Sequence, residues 1–224
     1  MKKTVFYLFV IFLMTVFACN SGKKADSKTT DSASAQKKEV TSKTEVKLSP
    51  DEQKKLNTFF SNFSEIFLES FTENQLNDKI LIRFGVFHQY VNSPSCFKNA
   101  GNNKVKIKDL QVNLAAEKYF GRNIITHLPV DEIEYKEGFY FIPQAAGEAH
   151  QFSQVEKLMQ LEGENFEAIV VVYVGETKNP HSTEAEWKKA GEEITISCKM
   201  KAKIQKITSE DNVSRYILKE YVKL

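Results

Sequence analysis

The sequence predicts an α+β domain with N-terminal helices packed on a curved antiparallel sheet. Three observations lead there. Apolar residues recur at the 3/4 spacing of amphipathic helices in segments between residues 50 and 120. From residue 132 the hydrophobic period changes to two. Helices come first and strands follow, with no internal repeat, which is the order of helices laid on one side of a sheet rather than of alternating crossover units.

The first helix opens on Ser49-Pro50-Asp51-Glu52, read as a capping box with proline at the first helical position. Leu56, Phe59, Phe60, Phe63, Ile66 and Phe67 form its apolar stripe, to about Glu69. The opposite side carries Asn57, Thr58, Ser61, Asn62 and Ser64 instead of the long charged residues usual on a wet helix face. Short amides and hydroxyls suit bonding to another element, so this face is expected to be covered at least in part. Asn77 caps a second helix whose stripe is Ile80, Leu81, Phe84, Phe87, His88 and Val91, ending near Asn92 ahead of Ser93-Pro94. Residues 93–104 read as a loop. Asp109 caps a third helix, Leu110 to Phe120, closed by Gly121, with Leu110, Leu114 and Tyr119 or Phe120 facing the core.

Glu132–Tyr135 and Phe139–Ile142 read as a hairpin about Lys136-Glu137-Gly138. Val155–Glu162 and Phe166–Val174 form a second, with Ile169–Val174 apolar on both sides and therefore central. A polar excursion over 175–191 holds a short helical turn at Glu184–Lys189. In Ile194–Ile204 the residues Ile194, Ile196, Cys198, Met200, Ala202 and Ile204 share one face. After a turn at Ser209–Asn212, the last strand runs from Tyr216 to Val222, with Glu220 in register with the inward residues. The expected architecture is a cystatin-like or nuclear-transport-factor-like roll, with a pocket between helix 1 and the concave sheet face.

Ahead of this domain lie Lys2 and Lys3, an apolar run from Thr4 to Phe17, and Val16-Phe17-Ala18-Cys19. The run is about 14 residues, short of the roughly 20 that span a bilayer, and fits an export signal. The segment 1–18 resembles a bacterial lipoprotein signal peptide. That resemblance implies cleavage before Cys19, a thioether bond from its thiol to diacylglycerol, and acylation of its freed amino group by a fatty acid such as palmitate. The alternatives are an ordinary signal peptide or an uncleaved anchor helix. Residues 19–48 read as the lipidated cysteine and a disordered tether: the stretch after Cys19 is Ser, Thr, Lys, Ala and Asp with almost nothing large and apolar. Residues 49–224 form a single domain. The chain's formal charge of +2 comes from the signal and the tether, and the domain itself carries about −3. No nucleic-acid footprint follows from that charge. The membrane, through the lipid on Cys19, is the expected partner, together with an envelope protein or small ligand. The absence of an acidic cluster after Cys19 leans towards a periplasm-facing anchor.

Leu56–Glu65, Phe84–Asn92 with His88, Lys118–Gly121 and Gly138–Phe141, in that order, resemble a loosely defined family of exported bacterial lipoproteins and envelope domains, with Ser61-Asn62-Phe63-Ser64-Glu65 as the distinctive segment. The resemblance implies a coherent fold and a shared role and assigns no catalytic residue.

No nucleophile elbow, phosphate loop or dinucleotide fingerprint is present. His88, His127, His150 and His181 lack metal-ligand spacing, so neither a metal nor another cofactor is expected. Cys96 and Cys198 either pair as a disulfide or remain free thiols. His88 on its apolar stripe is read as a buried imidazole bonded to Asn62 or Glu65, or else as a functional base. Glu220 is read as structurally paired or as part of a polar pocket with Asn62, Glu65 and His88. The leading expectation is a non-catalytic binding module of the cell envelope. The alternative is a small hydrolase using His88 with a nearby carboxylate.

Overall fold

The structure, a computed structural model, describes residues 43–144, 150–209 and 211–224. The expected signal segment, Cys19 and nearly all of the expected tether lie outside the described residues. The fold is α+β, with four α-helices and two antiparallel sheets among the described residues.

The larger sheet has five strands: β1 (Thr44–Glu45), β6 (Gln151–Gln160), β7 (Asn165–Val174), β8 (Thr195–Thr208) and β9 (Ser214–Lys223), in that spatial order. The apolar strand β7 is central, as its two-sided hydrophobicity requires. The smaller sheet runs β2 (Lys98–Gly101), β3 (Lys104–Lys108), β5 (Phe139–Pro143), β4 (Glu134–Lys136). Its β2–β3 hairpin falls in the segment expected to be loop. Gly101, Asn102 and Asn103 all take positive φ, so the Asn- and Gly-rich run is a tight turn between two short strands. The β4–β5 hairpin has the expected turn, with Glu137 and Gly138 both at positive φ, matching the twist of the strands they join.

Helix α1 (Pro50–Ser64) is capped by Ser49, whose hydroxyl accepts from the Glu52 amide at 3.3 Å. The Glu52 carboxylate does not close the box; it accepts instead from the Tyr216 hydroxyl. The fold begins before Ser49: β1 pairs with β6, and Val46 and Leu48 pack on the core, so the domain border lies ahead of residue 48. Helix α2 (Asp78–Asn92) is capped by Asn77 and α3 (Asp109–Phe120) by Gly121 in the left-handed conformation. The capping oxygen expected of Asp109 is displaced by one residue, since Asp109 is itself the first helical residue.

The α3 stripe also differs from expectation. Val112, Ala115, Ala116, Tyr119 and Phe120 are buried, whereas Leu110 and Leu114 are 58% and 47% exposed. The reason is the close approach of α2. A Cβ on Gly85 would stand 2.7 Å from the Val112 carbonyl oxygen, so the small residues, not the leucines, face the partner helix. Val91 is likewise exposed.

Among the described residues the larger sheet carries three bulges, at Glu156, Ser197 and Lys219, and the last two overturn the expected facing of side chains. At Ser197 the pairing steps from Val172↔Cys198 to Tyr173↔Ile196. Cys198, Met200, Ala202 and Ile204 therefore face the main core, while Ile194 joins Phe152, Val171, Tyr173 and Trp187 in a second cluster. Trp187 comes from α4 (Glu184–Ala190), held by a Thr183–Glu186 capping box. At Lys219 the pairing steps from Ile204↔Leu218 to Lys203↔Glu220. Leu218 and Tyr221 point into the core, and Glu220 is turned to the other side.

The polar face of α1 closes an edge of the larger sheet. β1 and the Val46 amide that follows it cover β6 only from Leu158 to Gln160. Further back, at Ser153 and Val155, α1 supplies the missing partners. Asn57 Oδ1 accepts from the Val155 amide at 2.8 Å, and Gln53 Nε2 donates to the Val155 carbonyl at 2.8 Å. Ser61 Oγ accepts from the Ser153 amide at 3.0 Å, and Ser64 Oγ accepts from the Ser153 hydroxyl at 3.0 Å. Gln53, Asn57 and Ser61 recur every four residues, one turn apart, so a row of side chains stands where a strand would. The cover expected over this face is present for Asn57, Ser61 and Ser64, while Thr58 remains exposed. At the far edge, Phe71 exchanges both backbone hydrogen bonds with Tyr221.

Candidate functional site

The structure does not assemble Asn62, Glu65, His88 and Glu220 into one pocket. His88 is 6% exposed, stacked on Phe84 at 5.1 Å and edge-on to Tyr119 at 4.6 Å. Its Nδ1 lies 3.1 Å from Asn92 Nδ2 and 3.7 Å from Glu65 Oε1. Asn92 also donates to Glu65. These three residues bind the C-terminal end of α1 to that of α2, with the His88 ring buried and Asn92 at the surface. Asn62 is not part of the cluster; its amide donates to the Thr58 carbonyl at 2.7 Å. Glu220 is 8% exposed and takes the Lys203 ammonium at 3.2 Å, the structural pairing foreseen for it, but on the side opposite to Leu218. Cys96 and Cys198 are free thiols, both half-buried. Among the described residues no group of His, Cys, Asp and Glu is arranged to hold a metal ion.

Beside α1 the structure instead holds a cleft that shares only Asn62 with the expected set. A cleft of about 600 Å³ opens between α1, the end of α3 and the β8–β9 hairpin. That volume is typical of small-ligand sites. From α1 come Glu52, Lys55, Phe59 and Asn62, spaced by three and four so that they form one stripe beside the core stripe. From α3 come Lys118 and Tyr119, and from the hairpin Lys206, Arg215 and Tyr216.

The floor is aromatic. Phe59 stacks with Tyr119 at 6.1 Å and tilts against Tyr216 at 6.1 Å. Burial, then the Glu65 charge, pushes the Tyr119 hydroxyl up to about 12. Burial and the bond to Glu52 raise that of Tyr216 as well. Both phenols are therefore neutral donors at physiological pH. The rim is cationic: Lys55, Lys118, Lys206 and Arg215 stand against one carboxylate, Glu52, which the Tyr216 hydroxyl already engages. Lys118 Nζ lies over the Tyr119 ring at 5.0 Å, and Arg215 Nη1 donates to the Glu117 carbonyl at 3.0 Å, which fixes the guanidinium at the mouth.

Such an arrangement attracts an anion and covers a flat apolar group. Of the site residues expected from the sequence only Asn62 lines it. The missed signal is the repetition of a cation beside an aromatic, Lys118-Tyr119 and Arg215-Tyr216, at the ends of two different elements. A larger hollow of about 860 Å³ beside His150 and Gly175 is lined by Glu176, Glu192 and Glu193, but Glu192 is already taken by Thr177 at 2.6 Å. Among the described residues no helix is long and apolar enough to cross a membrane. Compared with known proteins, the chain matches no family model, no curated protein and no solved structure.

Proposed function

We propose that this chain is an exported bacterial lipoprotein, tethered through Cys19 to an envelope membrane and probing the periplasm. Its domain holds, without catalysis, an anionic ligand that carries a flat apolar group. One observation carries the ligand class: four cationic side chains ring an aromatic floor in a cleft with a single, already bonded carboxylate. The closed setting of His88 favours binding over hydrolysis, because a general base must reach the proton it removes. The anchor is supported by Lys2, Lys3, the apolar run and Cys19.

Two measurements test this reading. The chain from Asn20 to Leu224 is titrated with 1-anilinonaphthalene-8-sulfonate and with its uncharged analogue N-phenyl-1-naphthylamine. The sulfonate binds at least tenfold more tightly, and Lys55→Gln/Lys118→Gln removes most of that preference, as charge-assisted contacts of about 1.5–3 kcal/mol require. Equal binding of the two probes, or no effect of the double variant, refutes the ligand class. Mass spectrometry of membrane-extracted protein finds an acylated Cys19 as first residue; a bare Cys19 or a retained leader refutes the anchor.

A further inference from the structure

The outer face of the smaller sheet collects lysines. Paired residues of neighbouring antiparallel strands point to the same side. The register Lys98↔Lys106, Lys106↔Phe141, Lys108↔Phe139, Lys104↔Pro143 and Lys136↔Phe139 therefore puts Lys98, Lys104, Lys106, Lys108 and Lys136 on one face. The other face carries Ile107, Tyr140 and Ile142 into the core. Lys98, Lys106 and Lys108 form no ion pair among the described residues. Among the described residues Glu134 is the one acid on the face and takes Lys104 at 2.6 Å; Glu137, in the adjoining turn, lies 3.6 Å from Lys136. This concentration runs against the domain's own negative balance.

We propose that this face rests on an anionic phospholipid surface. The charges are all lysines, compact hydrated ammonium groups that respond to a diffuse charged plane, with no arginine fork for bidentate phosphate recognition. A sheet face presents them together, as a planar surface demands. The two aromatic rings of the face, Phe139 and Phe141, are half-buried, and the Lys106 ammonium lies 4.8 and 5.8 Å from their centroids. No open ring is left on which a nucleotide base would stack, which disfavours a single-stranded nucleic acid. Docking of this face holds the domain flat on the membrane, a step beyond tethering and independent of the cleft.

The test sediments the unlipidated chain Asn20–Leu224, which holds the whole core, with vesicles of phosphatidylcholine alone or mixed with phosphatidylglycerol. Binding to the mixed vesicles only, weakened by salt, is expected. A lysine near an anionic surface strengthens partitioning about fivefold, so Lys98→Gln/Lys106→Gln/Lys108→Gln lowers it about 100-fold with an unchanged circular dichroism spectrum. Lys55→Gln/Lys118→Gln at the cleft leaves it intact. The proposal is overturned by failure to bind the mixed vesicles, by equal loss in the cleft variant, or by tighter binding to an oligothymidylate than to vesicles. Because the chain lacks the lipid and the probe is a bilayer, failure here leaves the cleft and Cys19 readings standing.

Discussion

Replacing Asn57 by alanine removes the acceptor that α1 offers to strand β6. Asn57 is 3% exposed, and its Oδ1 receives the Val155 amide at 2.8 Å and the Gln53 side chain at 2.9 Å. Gln53 keeps its second acceptor, the Val155 carbonyl, so its loss is small. The Val155 amide has no second partner, and an unpaired buried donor costs about 1–3 kcal/mol. Alanine is a better helix former than asparagine by about 0.6 kcal/mol, which offsets part of that cost. The net destabilisation is roughly 0.5–2.5 kcal/mol. Thr58→Ala, one residue along on the exposed side, gains propensity without breaking a contact to the sheet and is neutral or slightly stabilising. Urea unfolding reads both changes, and amide exchange locates the first: protection falls at Val155 and Ser153. Equal midpoints for the two variants, with Val155 still protected, refute the edge-sealing role of this face.

Gly85→Ala forces α2 away from the Val112 backbone; the clash outweighs alanine's propensity gain of about 1 kcal/mol, so thermal denaturation occurs earlier, and a raised midpoint contradicts the close approach. Trp187→Ala removes the centre of the second cluster and the indole bond to the Asn179 carbonyl at 2.9 Å; a loss of about 3 kcal/mol or more in chemical unfolding is expected, with a loss under 1 kcal/mol counting against that cluster. The phenols of Tyr119 and Tyr173 are both raised to about 12, each chiefly by burial. Their pKa values in the fold exceed the unfolded value of 10.0, so this stabilisation is complete below that value and is lost as pH rises through about 12. Phenolate absorbance is then delayed in the folded chain relative to the chain in urea; coincident titrations contradict the burial.

Helix starts and stops were legible because single residues make them: Ser49, Asn77 and Gly121 each stand at the predicted terminus. The unusual amides and hydroxyls of α1 were legible too, since a solvated face has no use for them. What escaped were events that depend on two segments at once. The bulges at Ser197 and Lys219 leave the alternating pattern intact in the sequence while turning Ile194 and Glu220 to the other side of the sheet. The exposure of Leu110 and Leu114 follows from Gly85 on another helix, which sets how close α3 can come. The β2–β3 hairpin hid in a Gly- and Asn-rich run that resembles a loop, although the alternation of Lys104, Lys106 and Lys108 was its trace. The cleft joins the ends of α1, α3 and the last hairpin, elements up to 164 residues apart where Glu52 meets Tyr216, and no local spacing announces such a meeting.

Two of these devices serve the same end. Sealing β6 with α1 fixes the helix against the sheet by its polar row, and this leaves the neighbouring stripe of Glu52, Lys55, Phe59 and Asn62 in a defined position above the β8–β9 hairpin. The rigid clamp of Glu65, His88 and Asn92 backs Tyr119 from behind. If the proposed ligand binds there, the aromatic floor is already in place before it arrives.

The most direct test is amide chemical-shift mapping of the Asn20–Leu224 chain during titration with 1-anilinonaphthalene-8-sulfonate. Saturable shifts confined to Lys55, Phe59, Lys118, Tyr119, Arg215, Tyr216 and their neighbours are the predicted result. Shifts centred on another surface, or none that saturate, contradict the assignment of the cleft as the binding site.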